Sequence, residues 1–147
     1  MAEIEVEGFN KIGWKTMKGF SPQVTKAVNE FSKKVVEELD GEVDSIILYG
    51  SVARGEAKQH SDIDVLIVGR DKRAIERRVS DIGYENDLKH ETFTALVYLS
   101  PDEIEQEVRL GSYFIKDILT EGVVLYDNGT FKRIREKTLG VSRRVFR

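Results

Sequence analysis

Two aspartates one residue apart, Asp62 and Asp64, open a segment that continues as Val65-Leu66-Ile67-Val68. Successive side chains on a strand alternate faces, so Asp62 and Asp64 share one face while Ile63, Val65 and Ile67 take the other. Like charges held roughly 6 to 7 Å apart repel unless a cation lies between them, and paired carboxylate oxygens suit Mg²⁺ or Mn²⁺. The bland alternative is a pair of solvated aspartates at a strand edge. Against it, Asp is depleted in strands, and so apolar a strand ordinarily starts apolar. Ten residues separate Asp62 from Ser51 of the preceding Gly50-Ser51 pair. Gly50 can adopt a positive φ, which lets the amides of a Gly-Ser turn approach a phosphate, with the Ser51 hydroxyl as a further donor. An ordinary turn needs the same glycine. Arg54 and Lys58 place cations beside that turn or lie on the exposed face of a short helix. The two glycines at 50 and 55 have P-loop spacing, but Glu56 and Ala57 stand where that loop requires Lys and Ser/Thr, which excludes it.

These residues need elements to hold them. Ser45–Tyr49 (SIILY) reads as a buried strand entering the Gly50-Ser51 turn, and Asp62–Val68 as the next strand. Upstream, Ser21-Pro22 starts a helix carrying Val24, Ala27, Val28, Phe31, Val35 and Leu39 at spacings of three and four, ending near Asp40-Gly41. Downstream come a charged amphipathic helix over Asp71–Leu88 with Ile75, Val79 and Ile82 inward, and a strand at Phe93–Leu99. A helix begins at Ser100-Pro101, a second is capped by Ser112 and stopped at Glu121-Gly122, and Val123–Tyr126 is the last strand. Strands alternating with helices predict an α/β (α+β) fold, a small mixed sheet flanked by helices. The expected organisation is an irregular N-terminal arm over 1–20, with a short strand at Glu3–Glu7 and a lone Trp14, a domain over 21–130, and a basic tail over 131–147.

The chain of 147 residues is 40% hydrophobic and 33% charged, a balance that folds as one domain. No apolar run reaches the roughly 18 to 20 residues of a membrane-spanning helix, and the start lacks the pattern of a signal peptide, so the expectation is no membrane and a cytoplasmic location. The absence of Cys excludes disulfides, thiolate-held zinc and a cysteine nucleophile. His60 and His90 are too few and too far apart for zinc; His60 lies near the phosphates or in a solvated loop. Residues 131–147 hold seven Lys/Arg against Glu136, making this stretch +6 and the remainder −9. Such a segment is a fraying solvated helix or an arm for nucleic acid or an acidic partner.

The run GSVARGEAKQHSDIDVLIV (residues 50–68) resembles the signature of the polymerase-β-type nucleotidyltransferases, specifically their minimal members. DILTEGVVLYDNG (Asp117–Gly129) also resembles the ending of those small proteins. The resemblance implies a mixed sheet flanked by helices, Mg²⁺ or Mn²⁺ held by Asp62 and Asp64, and ATP or another nucleoside triphosphate gripped at Gly50 and Ser51 with help from Arg54. The reaction it implies is transfer of a nucleotidyl group to an acceptor hydroxyl with loss of pyrophosphate. Relatives carry a third carboxylate on a neighbouring strand, yet Phe93–Leu99 contains none; Glu91 is the nearest candidate catalytic residue, with Asp87 and Glu85 further back. Many minimal members pair with a HEPN-domain protein as the antitoxin that modifies or masks a toxic ribonuclease. The expectation is thus a Mg²⁺-dependent transferase acting on a partner protein. Its alternative is a nucleotide- or partner-binding module without turnover, docking through the Asp71–Leu88 helix.

Overall fold

Ser21 and Pro22 start helix α1 (Pro22–Glu38) by capping chemistry: the Val24 amide donates to the Ser21 hydroxyl at 3.1 Å, and Pro22 takes the first turn, where its missing N–H costs nothing. The computed structural model describes residues 8–9, 20–57 and 61–140. The Glu3–Glu7 strand, Trp14, Lys58, His60 and residues 141–147 lie outside the described residues. After α1 come β1 (Ser45–Tyr49), α2 (Gly50–Ala53), β2 (Ile63–Val68), α3 (Lys72–His90) and β3 (Thr94–Leu99). The chain continues through α4 (Pro101–Arg109), α5 (Tyr113–Glu121), β4 (Val123–Asp127) and α6 (Thr130–Leu139).

Among the described residues the strands form one sheet in the order β3-β2-β1-β4. β1 pairs antiparallel with both β2 and β4, whereas β2 and β3 run parallel, so α3 is the crossover that parallel pairing requires. The mixed α/β expectation describes this architecture. Period-two alternation splits the sheet between two apolar layers. Ile46, Leu48, Val65 and Ile67 pack beneath α1 and α3 with Phe31, Val35 and Val79. Ile47, Leu66 and Val68 pack beneath α4, α5 and α6 with Ile104, Ile118 and Phe131. Each fully buried Ile or Leu contributes about 2 kcal/mol of transfer free energy.

Three boundaries differ from the sequence pattern. β2 starts at Ile63 and β3 at Thr94, each one residue late, so Asp62 and Phe93 stand just ahead of their strands. α3 continues past Leu88 because His90 is buried and Glu91 turns the chain with a left-handed φ of 56°, its N–H bonding the Asp87 carbonyl. His90 is therefore a buried helix-end residue. A further difference concerns the basic stretch. Residues 131–139 are a packed helix, with Phe131 and Ile134 buried against the sheet. Arg135 stacks on Phe131 at 4.9 Å and donates at 2.8 Å to the carbonyls of Leu119 and Gly122, closing the C-terminus of α5. That apolar stripe, not the charge count, decides the fate of the segment.

α6 has no side-chain cap of its own at Gly129, and the preceding residues supply one. Asp127 accepts from the amides of Phe131 and Lys132, each at 3.0 Å, and from the Ser45 hydroxyl at 2.8 Å. Asn128 accepts from the Thr130 amide at 3.0 Å and donates to Asp44 at 2.8 Å. One carboxylate thus joins the first strand to the last helix. Asp127→Ala is expected to cost about 2 kcal/mol in urea-induced unfolding, with Asp127→Asn recovering part of it.

Candidate active site

The turn after β1 is shaped by what lies across from it. Tyr49 is the register partner of Asp64, so the chain leaves β1 alongside the Asp64 side chain. Gly50 has φ +76°, and a Cβ there would collide with the Asp64 carboxylate. Glycine is needed twice over, for backbone conformation and for space. α2 follows at once, anchored by Val52 at 1% exposure and packed on β1 and β2. Its turn is closed by the Arg54 amide on the Gly50 carbonyl at 3.1 Å and the Glu56 amide on the Ser51 carbonyl at 2.9 Å.

Burial holds the Asp64 carboxyl above its ordinary range, the charge of Asp62 pushes the same way, and Arg54 partly offsets both. Tyr49 is also raised, first by burial and then by Asp64, and its ring meets Phe114 edge-on at 5.4 Å. Arg54 is committed to Glu56, its Nε donating to Oε1 at 2.8 Å, and it also feels Glu121 and Asp117 of α5. The guanidinium therefore stands in an acidic surround, with its Nε held by Glu56.

The structure gathers Gly50, Ser51, Asp62, Asp64 and Arg54 at one end of β1 and β2. Among the described residues no three His, Asp or Glu side chains lie together as a metal cluster, so Glu91 does not form one with Asp62 and Asp64. Glu91 serves instead as the exposed left-handed cap of α3, a conformation imposed by the sharp entry into β3. The parallel register sets Ala95 beside Asp64 and Leu96 beside Val65. The strand position facing the aspartates thus carries a methyl group. Asp62 and Asp64 are the residues that could hold a divalent cation: burial raises Asp64 first and the charge of Asp62 second, and a cation would relieve that repulsion. Sequence reasoning missed Tyr49, Phe114, Asp117 and Glu121. Strand alternation could have found Tyr49; the other three reach the site only through the packing of α5.

The nucleotidyltransferase domain family model matches residues 28–125, and the chain belongs to that family. It is a nucleotidyltransferase, as the residues between Gly50 and Asp64 imply. A Methanocaldococcus jannaschii protein named as a protein adenylyltransferase is 28% identical over 123 residues, covering 80% of this chain and 82% of that one. A second protein of that name from the same organism is 33% identical over 105 residues, covering 69% of this chain and 96% of its own. Among solved structures, a chain of a toxin–antitoxin crystal structure with AMP-PNP superposes with a TM-score of 0.51 at 17% identity, covering 80% of this chain and 88% of its own. That likeness is one of fold. No helix among the described residues is long and apolar enough to cross a membrane.

The raised Asp64 has a consequence for stability. Its ionised form is disfavoured in the folded state, so the fold binds this proton more tightly than the unfolded chain, and stability falls as pH rises from the ordinary value of 3.8 through the raised one. Asp64→Asn removes that loss, and without divalent cations the variant is expected to melt about 2 °C above wild type at pH 7, discounted for solvent screening, with the gap closing toward pH 4. Calorimetric melts across that pH range measure it.

Proposed function

We propose that this nucleotidyltransferase is a protein adenylyltransferase, moving AMP from ATP to a hydroxyl of a partner protein with Mg²⁺ or Mn²⁺ held at Asp62 and Asp64. The observation that carries the reading is the mutual fit of Gly50 and Asp64. It presses the turn after β1 against the Asp64 carboxylate, at a residue whose φ of +76° already favours glycine. The names of the two Methanocaldococcus relatives support the choice of adenylyl group and protein acceptor. The resemblance of residues 50–68 and 117–129 to the minimal nucleotidyltransferases is what suggests a HEPN-domain partner, with this chain as the antitoxin.

In this reading the backbone of Gly50 and Ser51 receives the β- and γ-phosphates, and Arg54 releases Glu56 to neutralise them. The cation, when bound, supplies neutralisation of charge at the reacting phosphate. The acceptor oxygen bonds to the α-phosphorus as the bond to the pyrophosphate oxygen breaks, and the acceptor proton passes to water. Such a displacement needs positioning and charge neutralisation more than covalent help, which is what these residues provide. Nucleic acid has no assigned role in this reading.

Ala95 beside Asp64 favours a second reading, a module that binds nucleotide and partner without turnover, because no carboxylate on β3 is placed to activate an acceptor. One experiment separates the two. The protein is incubated with α-phosphate-labelled ATP, Mg²⁺ or Mn²⁺ and lysate of its source, beside the Asp62→Asn/Asp64→Asn variant. Labelled protein from wild type, reduced at least about a hundredfold in the variant, is the expected result. No label despite ATP binding by calorimetry overturns the enzymatic reading. Ala95→Asp then serves as the second arm. It is expected to raise transfer about tenfold by adding an oxygen donor at the vacant register position, and a rate unchanged by it removes β3 from the reaction.

A further inference from the structure

Phe93 presents an aromatic ring at 65% exposure in the residue before β3. Its carbonyl accepts from the Ile63 amide at 2.8 Å, which ties it to the start of β2 beside Asp62. Along β3, Val97 and Leu99 join the layer of Leu66 and Val68, while Leu96 and Tyr98 join the opposite one. Continuing that alternation backwards carries Ala95 and Phe93 to the face of Asp64 and Asp62. Across the sheet the order runs from Phe93 just ahead of β3, through Asp62 just ahead of β2 and Asp64 on it, to the Gly50 turn leaving β1.

That order gives the site two unlike sides. Displacement at phosphorus is in line, so the entering oxygen and the leaving pyrophosphate lie on opposite sides of the α-phosphorus. With the β- and γ-phosphates at the β1 side, the acceptor enters from the β3 side, where Ala95 leaves space and Phe93 forms the rim. On the pyrophosphate side stand Arg54, Glu56, Asp117 and Glu121, a charged surround; on the acceptor side the rim is an uncovered aromatic ring. We propose that Phe93 is the acceptor-positioning residue of this site. It selects a protein segment whose hydroxyl is flanked by apolar side chains, which cover the ring as the hydroxyl reaches the aspartates. The inference rests on the adenylyl-transfer reading and adds the class of acceptor.

The test uses the intact protein with AMP-PNP and Mn²⁺, and a short fluorescein-labelled peptide carrying serine between leucine and phenylalanine. A second peptide flanks the serine with glycines. Fluorescence anisotropy is expected to show the apolar-flanked peptide bound about tenfold more tightly than its counterpart, a preference abolished by Phe93→Ala and retained by Phe93→Leu. Tyr113→Ala, on the barer ring at the start of α5 (81% exposed), is expected to leave the preference intact, and AMP-PNP affinity is expected to be unchanged in all variants. With ATP in place of the analogue, Phe93→Ala is expected to raise the peptide KM about tenfold at near-constant kcat. No preference in wild type, a preference surviving Phe93→Ala, or one lost with Tyr113→Ala would each overturn the assignment. Phe93-dependent binding without label transfer would instead overturn the enzymatic reading and leave the docking role standing. Because Phe93 is so exposed, its removal spares the core, and melting temperatures within about 1 °C of wild type verify that.

Discussion

Everything at this site turns on the contact between a backbone and a carboxylate. The Asp64 side chain fills the volume that a Cβ at residue 50 would claim, and Gly50 answers by lacking one and by adopting φ +76°. That constraint fixes the course of the chain out of β1, sets the first turn of α2 against β2, and brings Ser51 and Arg54 alongside. It also strips water from Asp64 next to a second negative charge, an arrangement the fold tolerates only at a cost. Groups held in an unfavourable ionisation state by their neighbours are poised for an incoming cation.

The scaffold around this contact shares out its tasks by sheet face. α1 and α3 cover the face turned away from the aspartates and are tied there by polar contacts: Arg78 reaches Glu42 at 2.9 Å, and the Asn86 amide donates to the Ala27 carbonyl at 2.9 Å. The other face is shared. α4, α5 and α6 close most of it with Ile104, Ile115, Ile118 and Phe131, and α5 then extends over the mouth of the site with Phe114 against Tyr49. Arg135 secures the far end of α5 through the carbonyls of Leu119 and Gly122. A helix that reads as a loose cationic appendage thus braces the element whose acidic residues face Arg54.

How much of this was legible depended on the range of the interactions involved. Ser21-Pro22, Ser100-Pro101 and Ser112 mark helix starts through local capping, and each marks a helix in the structure. Glycine, serine and the alternating aspartates pointed to the candidate site because their meaning lies in one turn and one strand. The capture of residues 131–139 was hidden, since Phe131 and Ile134 are too sparse to outweigh the surrounding cations until the sheet supplies a surface for them. The place of Glu91 was hidden for a different reason. In the sequence it is the carboxylate nearest the start of β3, whereas the buried His90 prolongs α3 and spends Glu91 on the turn. Ala95 was within reach of strand alternation, but the register that puts it beside Asp64 belongs to the fold.

The position of β1 has a consequence for how the molecule comes into being. β1 is an inner strand: its antiparallel partner β2 follows within a few turns of chain, but its other partner, β4, arrives only after every other strand has been laid down. Ser45 and Asp127 meet across 82 residues of sequence. Contacts so distant close late, after the entropy of a long loop has been overcome. During synthesis the glycine turn is therefore extruded early but stays half-supported, one flank of its strand bare, until the segment that follows α5 has left the ribosome. A nascent chain halted before that point carries both aspartates and the glycine without the fold that brings them into use.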